Sequence, residues 1–306
     1  MLNFDFPIIA LAPLAGYTDL PFRKVVKKYD ADWTISEMIN GNALKYRNEK
    51  TLKMTQKNKN ETPYSVQIAC NNAQIAKAAV EVLNEFDFID GIDLNVGCPV
   101  KKAIKSGYGG NLLNEPKNLS EIISTIAKTH NKKFFSVKMR IGFDEINGVE
   151  RAKLIEDSGA EILTVHGRTV KQMYGGDTNY EEIKKIKQHL KIPVLANGNI
   201  DSYQKAKWVM DYTNSDGVMI GRGAIGNPWI FKEIKEQRVI SKEEKKEVII
   251  EHFKAMIEWY GEYGAVLFRK HLHTYSKGYQ GASEFRTKIN SIDSSKVMFE
   301  TIKKFF

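Results

Sequence analysis

Short apolar, β-branched runs recur along most of the chain and alternate with stretches whose apolar residues fall at three- and four-residue spacing. The runs lie at 8–12, 32–38, 64–70, 91–96, 134–140, 162–166, 193–197 and 217–221, and they predict eight strands. Segments 72–83, 119–129, 149–158, 180–188 and 203–211 predict helices between them. Such alternation implies parallel strands joined by right-handed crossovers, and eight units over ~230 residues match a (β/α)8 TIM barrel. A doubly wound open sheet is the competing arrangement. After about residue 240 the strand pattern stops. Ile249, Phe253, Met256, Ile257 and Tyr260 recur at helical spacing, Val297, Ile302 and Phe305 suggest a last helix, and Ser241 with Glu244 fits a capping box. The division expected is a barrel over residues 1–238 and an all-helical domain over 239–306.

Composition is that of an ordinary folded protein, 42% hydrophobic and 27% charged over 306 residues, which excludes collagen-like, low-complexity and disulfide-scaffold chains. No run of ~18 apolar residues occurs, and the opening MLNFDFPIIALAP has neither a cationic region nor a cleavage pattern. These features predict no membrane span and a cytoplasmic location. The net charge is +9, from 46 basic and 37 acidic residues, which suits a polyanionic partner but also a generally lysine-rich proteome. Its distribution is uneven. Residues 45–60 carry six basic groups and one acid, and residues 264–306 carry eight and three, whereas 241–263 carry four and six.

Active-site groups of a barrel project from the C-terminal ends of its strands. Here those ends carry Gln67, Asn95, Cys98, Lys138, Arg140, His166, Arg168, Asn197 and Arg222 on otherwise apolar strands. Burying such groups without partners costs several kcal/mol in an apolar medium, so they are expected to face a ligand. Asn197-Gly198-Asn199 and Gly221-Arg222-Gly223, after the last two strands, are placed to hold a phosphate with backbone N–H groups, and Arg222 could clamp it. Residues 221–226 also spell GxGxxG, but no strand ending in a ribose-gripping acid follows, which disfavours a Rossmann site.

Lys138 sits among Phe134, Phe135, Val137 and Met139, which favours an interior role beside an electron-rich cofactor over a surface one. His166 is a ligand-facing or a satisfied core histidine. His271 and His273 are two apart and isolated, and no group has metal-ligand spacing, so no metal is expected. Of the two cysteines, Cys70 beside Ile68 and Ala69 suits a small buried apolar group. Cys98, before Pro99 and close to Lys101, Lys102 and Lys105, is the candidate general acid, because a free thiol with a pKa of ~8.5 holds its proton at neutral pH yet can yield it to a carbanion.

Taken together, APLAGYTDLPFR (12–23), VQIA (66–69), DLNVGCPVKK (93–102), SGYGGNLL (106–113), VKMRIG (137–142), VHGRT (165–169), ANGNI (196–200), GVMIGRGAIGNPWIF (217–231), RKH (269–271) and EFR (284–286) resemble the tRNA-dihydrouridine synthase family, in order and over nearly the whole chain. One departure is Leu14, where the family commonly has methionine. It is a conservative change, since a leucine there can still pack against a flavin ring.

The resemblance implies FMN at the barrel mouth, with Pro13, Leu14 and Ala15 along its ring, Gln67 and Lys138 at its polar edge, and His166 near the ring or the phosphate. Asn197, Gly198, Asn199, Gly221 and Arg222 would hold the phosphate. NADPH would reduce the flavin, hydride would pass to uracil C6, and Cys98 would protonate C5. Asn95, Arg140, Arg168 and Tyr174 are the expected uracil contacts. Lys101, Lys102, Arg269, Lys270, Arg286 and Lys288 are the expected tRNA contacts, since the base must be turned out and the rest of the RNA held by its phosphates. The tail around RKH leans toward the bacterial B-type branch and a D-loop uridine. A monomer is expected. The alternatives are an FMN-dependent small-molecule dehydrogenase of the dihydroorotate dehydrogenase type, and a non-catalytic RNA-binding barrel, which would have no use for a placed proton donor.

Overall fold

A computed structural model describes residues 2–306. Its strands are β1 (Ile8–Leu11), β2 (Thr34–Ile35), β3 (Ile39–Asn40), β4 (Tyr64–Ala69), β5 (Gly91–Val96), β6 (Phe134–Arg140), β7 (Ile162–His166), β8 (Val194–Asn197) and β9 (Gly217–Ile220). The hydrogen-bonded order is β1-β9-β8-β7-β6-β5-β4-β2, with β3 also on β4. The order follows the chain without reversal, so the sheet is a nearly closed barrel and the doubly wound alternative is excluded. A parallel bridge between Ala10 and Trp33, with Leu11 N–H donating to Trp33 O at 2.9 Å, draws β1 and β2 together.

The second barrel strand departs from the sequence expectation. In place of one strand over 32–38 there are two short pieces, β2 and β3, with Thr34 opposite Tyr64 and Ile39 opposite Ile68. Five steps along one strand therefore match four along β4, which makes a one-residue bulge. Ser36 stabilises it: its N–H donates to Ser65 O at 2.9 Å, and its Oγ accepts the Gln67 N–H at 3.0 Å. The bulge frees Glu37 and Met38 from the ladder at the barrel mouth.

Alternation along each strand divides the side chains into two layers. Phe135, Val137 and Met139 of β6 join the large apolar cluster shared with the surrounding helices. Phe134 of the opposite parity joins Ile8, Ala10, Trp33, Ile35, Ile162, Leu195 and Met219 in a separate cluster. Because successive residues face opposite sides of the sheet, Ser136, Lys138 and Arg140 share the parity of Phe134. Along this face of β6 the residues change from apolar to polar toward the C-terminal end.

The tail is helical: Lys242–Tyr260, Gly264–Tyr275, Ala282–Ile289 and Ser295–Phe305. Ser241 and Glu244 form the capping box, each side chain bonded to the other's backbone N–H at 3.1 and 2.9 Å. Val248, Phe253, Met256, Phe268, Leu272, Phe285 and Ile302 build a third apolar cluster, which includes Val25 and Tyr29 beside the barrel. The Tyr260 hydroxyl donates to Asp19 at 3.0 Å, tying the first tail helix to the N-cap of the helix Leu20–Lys28. Two helices, Gly41–Lys45 and Glu49–Met54, occupy the basic stretch that the apolar pattern left without elements. Among the described residues no helix is long and apolar enough to cross a membrane.

Candidate active site

Parallel registry sets the polar groups level with one another. Gln67 of β4 lies opposite Asp93 of β5, which lies opposite Ser136 of β6; one pleat further along, Asn95 lies opposite Lys138. Beyond them His166 of β7 lies opposite Arg140 of β6 on one side and Asn197 of β8 on the other. Side chains of paired residues share a sheet face. The polar residues of separate sequence segments are thus stacked in tiers under the barrel mouth.

Above these tiers is a cavity of about 740 Å³. Pro13, Leu14, Ala15, Gln67, Asn95, Cys98, Lys138, Arg140, His166, Tyr174, Asn197, Gly198, Asn199, Gly221 and Arg222 all line it. Arg168 does not: it is 1% exposed, and its guanidinium donates to Gly175 O at 3.0 Å and to Gly176 O at 2.7 Å, fixing the loop that carries Tyr174. Arg140 braces the same loop through Thr169 O (2.8 Å) and Met173 O (2.7 Å), and also donates to Gly97 O (2.8 Å) beside Cys98. The Tyr174 ring lies 5.7 Å from the Arg140 guanidinium and 4.8 Å from that of Arg222.

The cysteine loop is built around Asn95. Its Oδ1 accepts the N–H of Gly97 at 3.2 Å and of Cys98 at 2.9 Å, and its Nδ2 donates to Gln67 Oε1 at 2.8 Å. The following glycine-rich run packs against this loop. Gly110 N–H donates to Cys98 O at 3.0 Å, and a Cβ on Gly109, whose φ is +66°, would stand 2.9 Å from the Cys98 Cβ. Only glycine meets both the backbone angle and that approach. Cys98 is partly exposed and lines the cavity, whereas Cys70 is buried, which pushes its thiol up to about 12 and leaves it inert.

Four cations surround His166. Burial and the charges of Lys138, Arg140, Arg168 and Arg222 hold its ring far below the ordinary histidine value, so it is neutral at physiological pH. Burial, with the Arg140 charge, lowers the Lys138 ammonium to about 8. Burial is also the main reason that Arg140 falls to about 10. Such a concentration of positive charge suits an anionic ligand.

A family model for dihydrouridine synthase (Dus) matches residues 10–306. The chain belongs to the dihydrouridine synthase family. A probable tRNA-dihydrouridine synthase of Helicobacter pylori strain J99 is 44% identical over 298 residues, covering 97% of this chain and 91% of that protein. The tRNA-dihydrouridine synthase B of Vibrio parahaemolyticus is 38% identical over 311 residues, with 97% and 95% covered. Among solved structures, a 2-naphthoyl-CoA reductase complex matches with a TM-score of 0.61 at 12% identity, over 75% of this chain and 50% of that one. TcOYE matches with a TM-score of 0.54 at 9% identity, over 83% and 94%. At these identities the likeness concerns the barrel fold alone.

Within this member of the Dus family, the structure adds residues that the sequence reading did not single out. Asp93, wholly buried, accepts from Gln67 Nε2 at 2.6 Å and from Ser136 Oγ at 2.5 Å. Its signal was legible: Asp93 and Asn95 share one parity of a strand whose other parity is apolar. Tyr17 and Met38 line the cavity, as do Thr274 and Lys277 of the helical tail. No local pattern marks these two, because their role depends on the tail folding back over the mouth. Gly226 packs against that tail, and a Cβ there would meet Thr274 Cβ at 2.9 Å.

The basic positions differ in their freedom. Lys101, Lys102 and Lys288 are exposed. Arg269 is paired with Asp293, Arg286 Nε donates to Ser276 Oγ at 2.9 Å, and Lys270 donates to Gly16 O in the loop that follows β1 at the mouth. His271 is not isolated: it is buried beside His252, with ring centroids 4.5 Å apart. Among the described residues, no three His, Cys, Asp or Glu side chains are grouped so as to hold a metal ion.

Proposed function

We propose that this protein is a tRNA-dihydrouridine synthase that uses FMN and NADPH, with Cys98 as the proton donor. The observation that carries the reading is that Cys98, Lys138 and the glycine-lined ends of β8 and β9 face one cavity in a chain of this family. The cavity lies within the ~300–1,000 Å³ range of ligand and cofactor sites.

The donor set fits FMN. Gly198 has φ +129°, and a Cβ on it would come within 2.8 Å of Thr178 and 3.0 Å of His166, so the cradle tolerates no side chain there. Next to it, Arg222 donates to Asn199 Oδ1 at 3.3 Å and is free to add a charged donor to a phosphate. Lys138 spends one of its three N–H donors on Asn197 at 2.9 Å, leaving donors for an electron-rich ring edge. Pro13, Leu14 and Ala15 supply an apolar wall, with Gln67 and His166 as neutral polar neighbours. When bound, FMN reduced by NADPH supplies the hydride that a C5–C6 double bond requires.

The chain's own residues do the rest. Asn95 and Arg140 face the uracil edge, and Tyr174, held by Arg168 through the Gly175 and Gly176 carbonyls, closes beside it. Cys98 Sγ gives its proton to C5, and solvent restores it. Exposed Lys101, Lys102 and Lys288 take tRNA phosphates directly, while Arg269, Lys270 and Arg286 exchange present partners for them. Residues 1–238 form the catalytic barrel and 239–306 the RNA-docking domain of a cytoplasmic monomer acting on a D-loop uridine.

Incubation of the FMN-loaded protein with NADPH and unmodified tRNA tests this reading. Dihydrouridine should accumulate in tRNA, with no reduction of free uracil and no reaction at the C5–C6 bond of orotate. Turnover of orotate or dihydroorotate without tRNA reduction would favour the small-molecule dehydrogenase instead.

A further inference from the structure

A continuous chain of hydrogen bonds runs from the floor of the cavity to the cysteine loop: Ser136 Oγ to Asp93, Gln67 Nε2 to Asp93, Asn95 Nδ2 to Gln67 Oε1, and the N–H groups of Gly97 and Cys98 to Asn95 Oδ1. Its ends differ in kind. The loop end presents backbone donors, which accept nothing. The floor end presents a carboxylate, which as an anion donates nothing. Between them stand two side-chain amides, and each could be turned to place N or O at either end. With a carboxylate at one terminus and two N–H groups at the other, only one orientation of both amides leaves every group paired.

We propose that Asp93 is a positioning residue that sets the direction of the Gln67 and Asn95 amides and thereby holds Cys98 in place. The proposal rests on the reading of Cys98 as proton donor, but the placement it describes is separate from that chemistry. Asp93, Gln67 and Asn95 are all buried, so a wrongly turned amide would oppose donor to donor without water to relieve it. The register supports the arrangement, since Gln67, Asp93 and Ser136 are direct neighbours across three strands and are not brought together by a mobile loop. Burial raises the Asp93 carboxyl to about 6, which still leaves it an anion at neutral pH. A carboxylate held there against burial opposes the reversed direction from the floor; an asparagine of the same shape could donate as well as accept, so the floor would no longer oppose it and only the loop end would.

The test uses the FMN-loaded protein and the rate of Cys98 alkylation by iodoacetamide, since Cys70 is buried and silent. Asp93→Asn should loosen the loop and speed alkylation about fivefold, the scale of one lost hydrogen bond. It should also slow tRNA reduction more than flavin reduction by NADPH. Asp93→Asn combined with Gln67→Glu restores a group at 67 that can only accept from Asn95, so the alkylation rate should return toward that of the unaltered protein. Alkylation is the readout for this pair because Gln67 itself lines the cavity. An unchanged rate in Asp93→Asn overturns the proposal, as does a double variant no better than the single one in alkylation or in folding. Should Cys98 prove dispensable for tRNA reduction, the alkylation result still stands, and only the proton-donor reading fails.

Discussion

Lys138 donates to Asn197 at 2.9 Å across the intervening strand β7, so a cation from β6 is fixed beside the proposed phosphate cradle at the end of β8. The interaction couples the two halves of the proposed cofactor site. Lys138→Met should weaken FMN binding to the apoprotein by about ten- to a hundredfold, the worth of a charge-assisted hydrogen bond. Because burial lowers this lysine from 10.5 to about 8, its charge is lost as pH rises through 8 and not near 10. Fluorescence titrations between pH 7 and 9 should therefore show affinity falling with pH for the unaltered protein and flat for the variant.

Arg222 has a second partner besides Asn199, the Tyr174 ring 4.8 Å from its guanidinium. Arg222→Ala should lower FMN retention through gel filtration by about tenfold in affinity and free Tyr174. A variant that elutes fully loaded would count against the phosphate role.

Gly198 combines φ +129° with a Cβ position 2.8 Å from Thr178 Cγ2. Gly198→Ala should cost about 1–3 kcal/mol of stability from backbone strain and crowding, measured by urea unfolding of the apoprotein. Gly175→Ala is the control, since a Cβ there meets nothing nearer than 3.6 Å.

The Asp93 carboxyl gives a pH signature of its own. Its value is raised from 3.8 to about 6 in the folded state, so folding favours the protonated form. The stability that follows is complete below 3.8 and lost as pH rises through about 6. Relative to Asp93→Asn, the unaltered protein should lose urea resistance between pH 4 and pH 6. A difference that stays constant over that window would contradict the burial argument.

Much of this was legible in the sequence because barrels obey a strict alternation. Phe135, Val137 and Met139 packing outward forces Ser136, Lys138 and Arg140 inward, so the β6 contribution to the site could be read from seven letters. The bulge at Ser36–Met38 could not, since one extra residue leaves the apolar count of the strand unchanged and is fixed by a side chain bonding to Gln67 in another strand. Arg269 is the opposite case: basic composition marked it as an RNA contact, but its present partner, Asp293, lies 24 residues away and is brought near only by the fold of the tail. Thr274 and Lys277 reach the cavity for the same reason.

The central claim is that Cys98 delivers the proton to a uracil in tRNA. Single-turnover mixing of unmodified tRNA with the pre-reduced protein tests it most directly, with dihydrouridine measured in the recovered RNA. Cys98→Ala should bind FMN and accept electrons from NADPH as the unaltered protein does, yet form dihydrouridine at least ~100-fold more slowly, the usual worth of a positioned general acid. Dihydrouridine formed by Cys98→Ala at the unaltered rate would contradict the account.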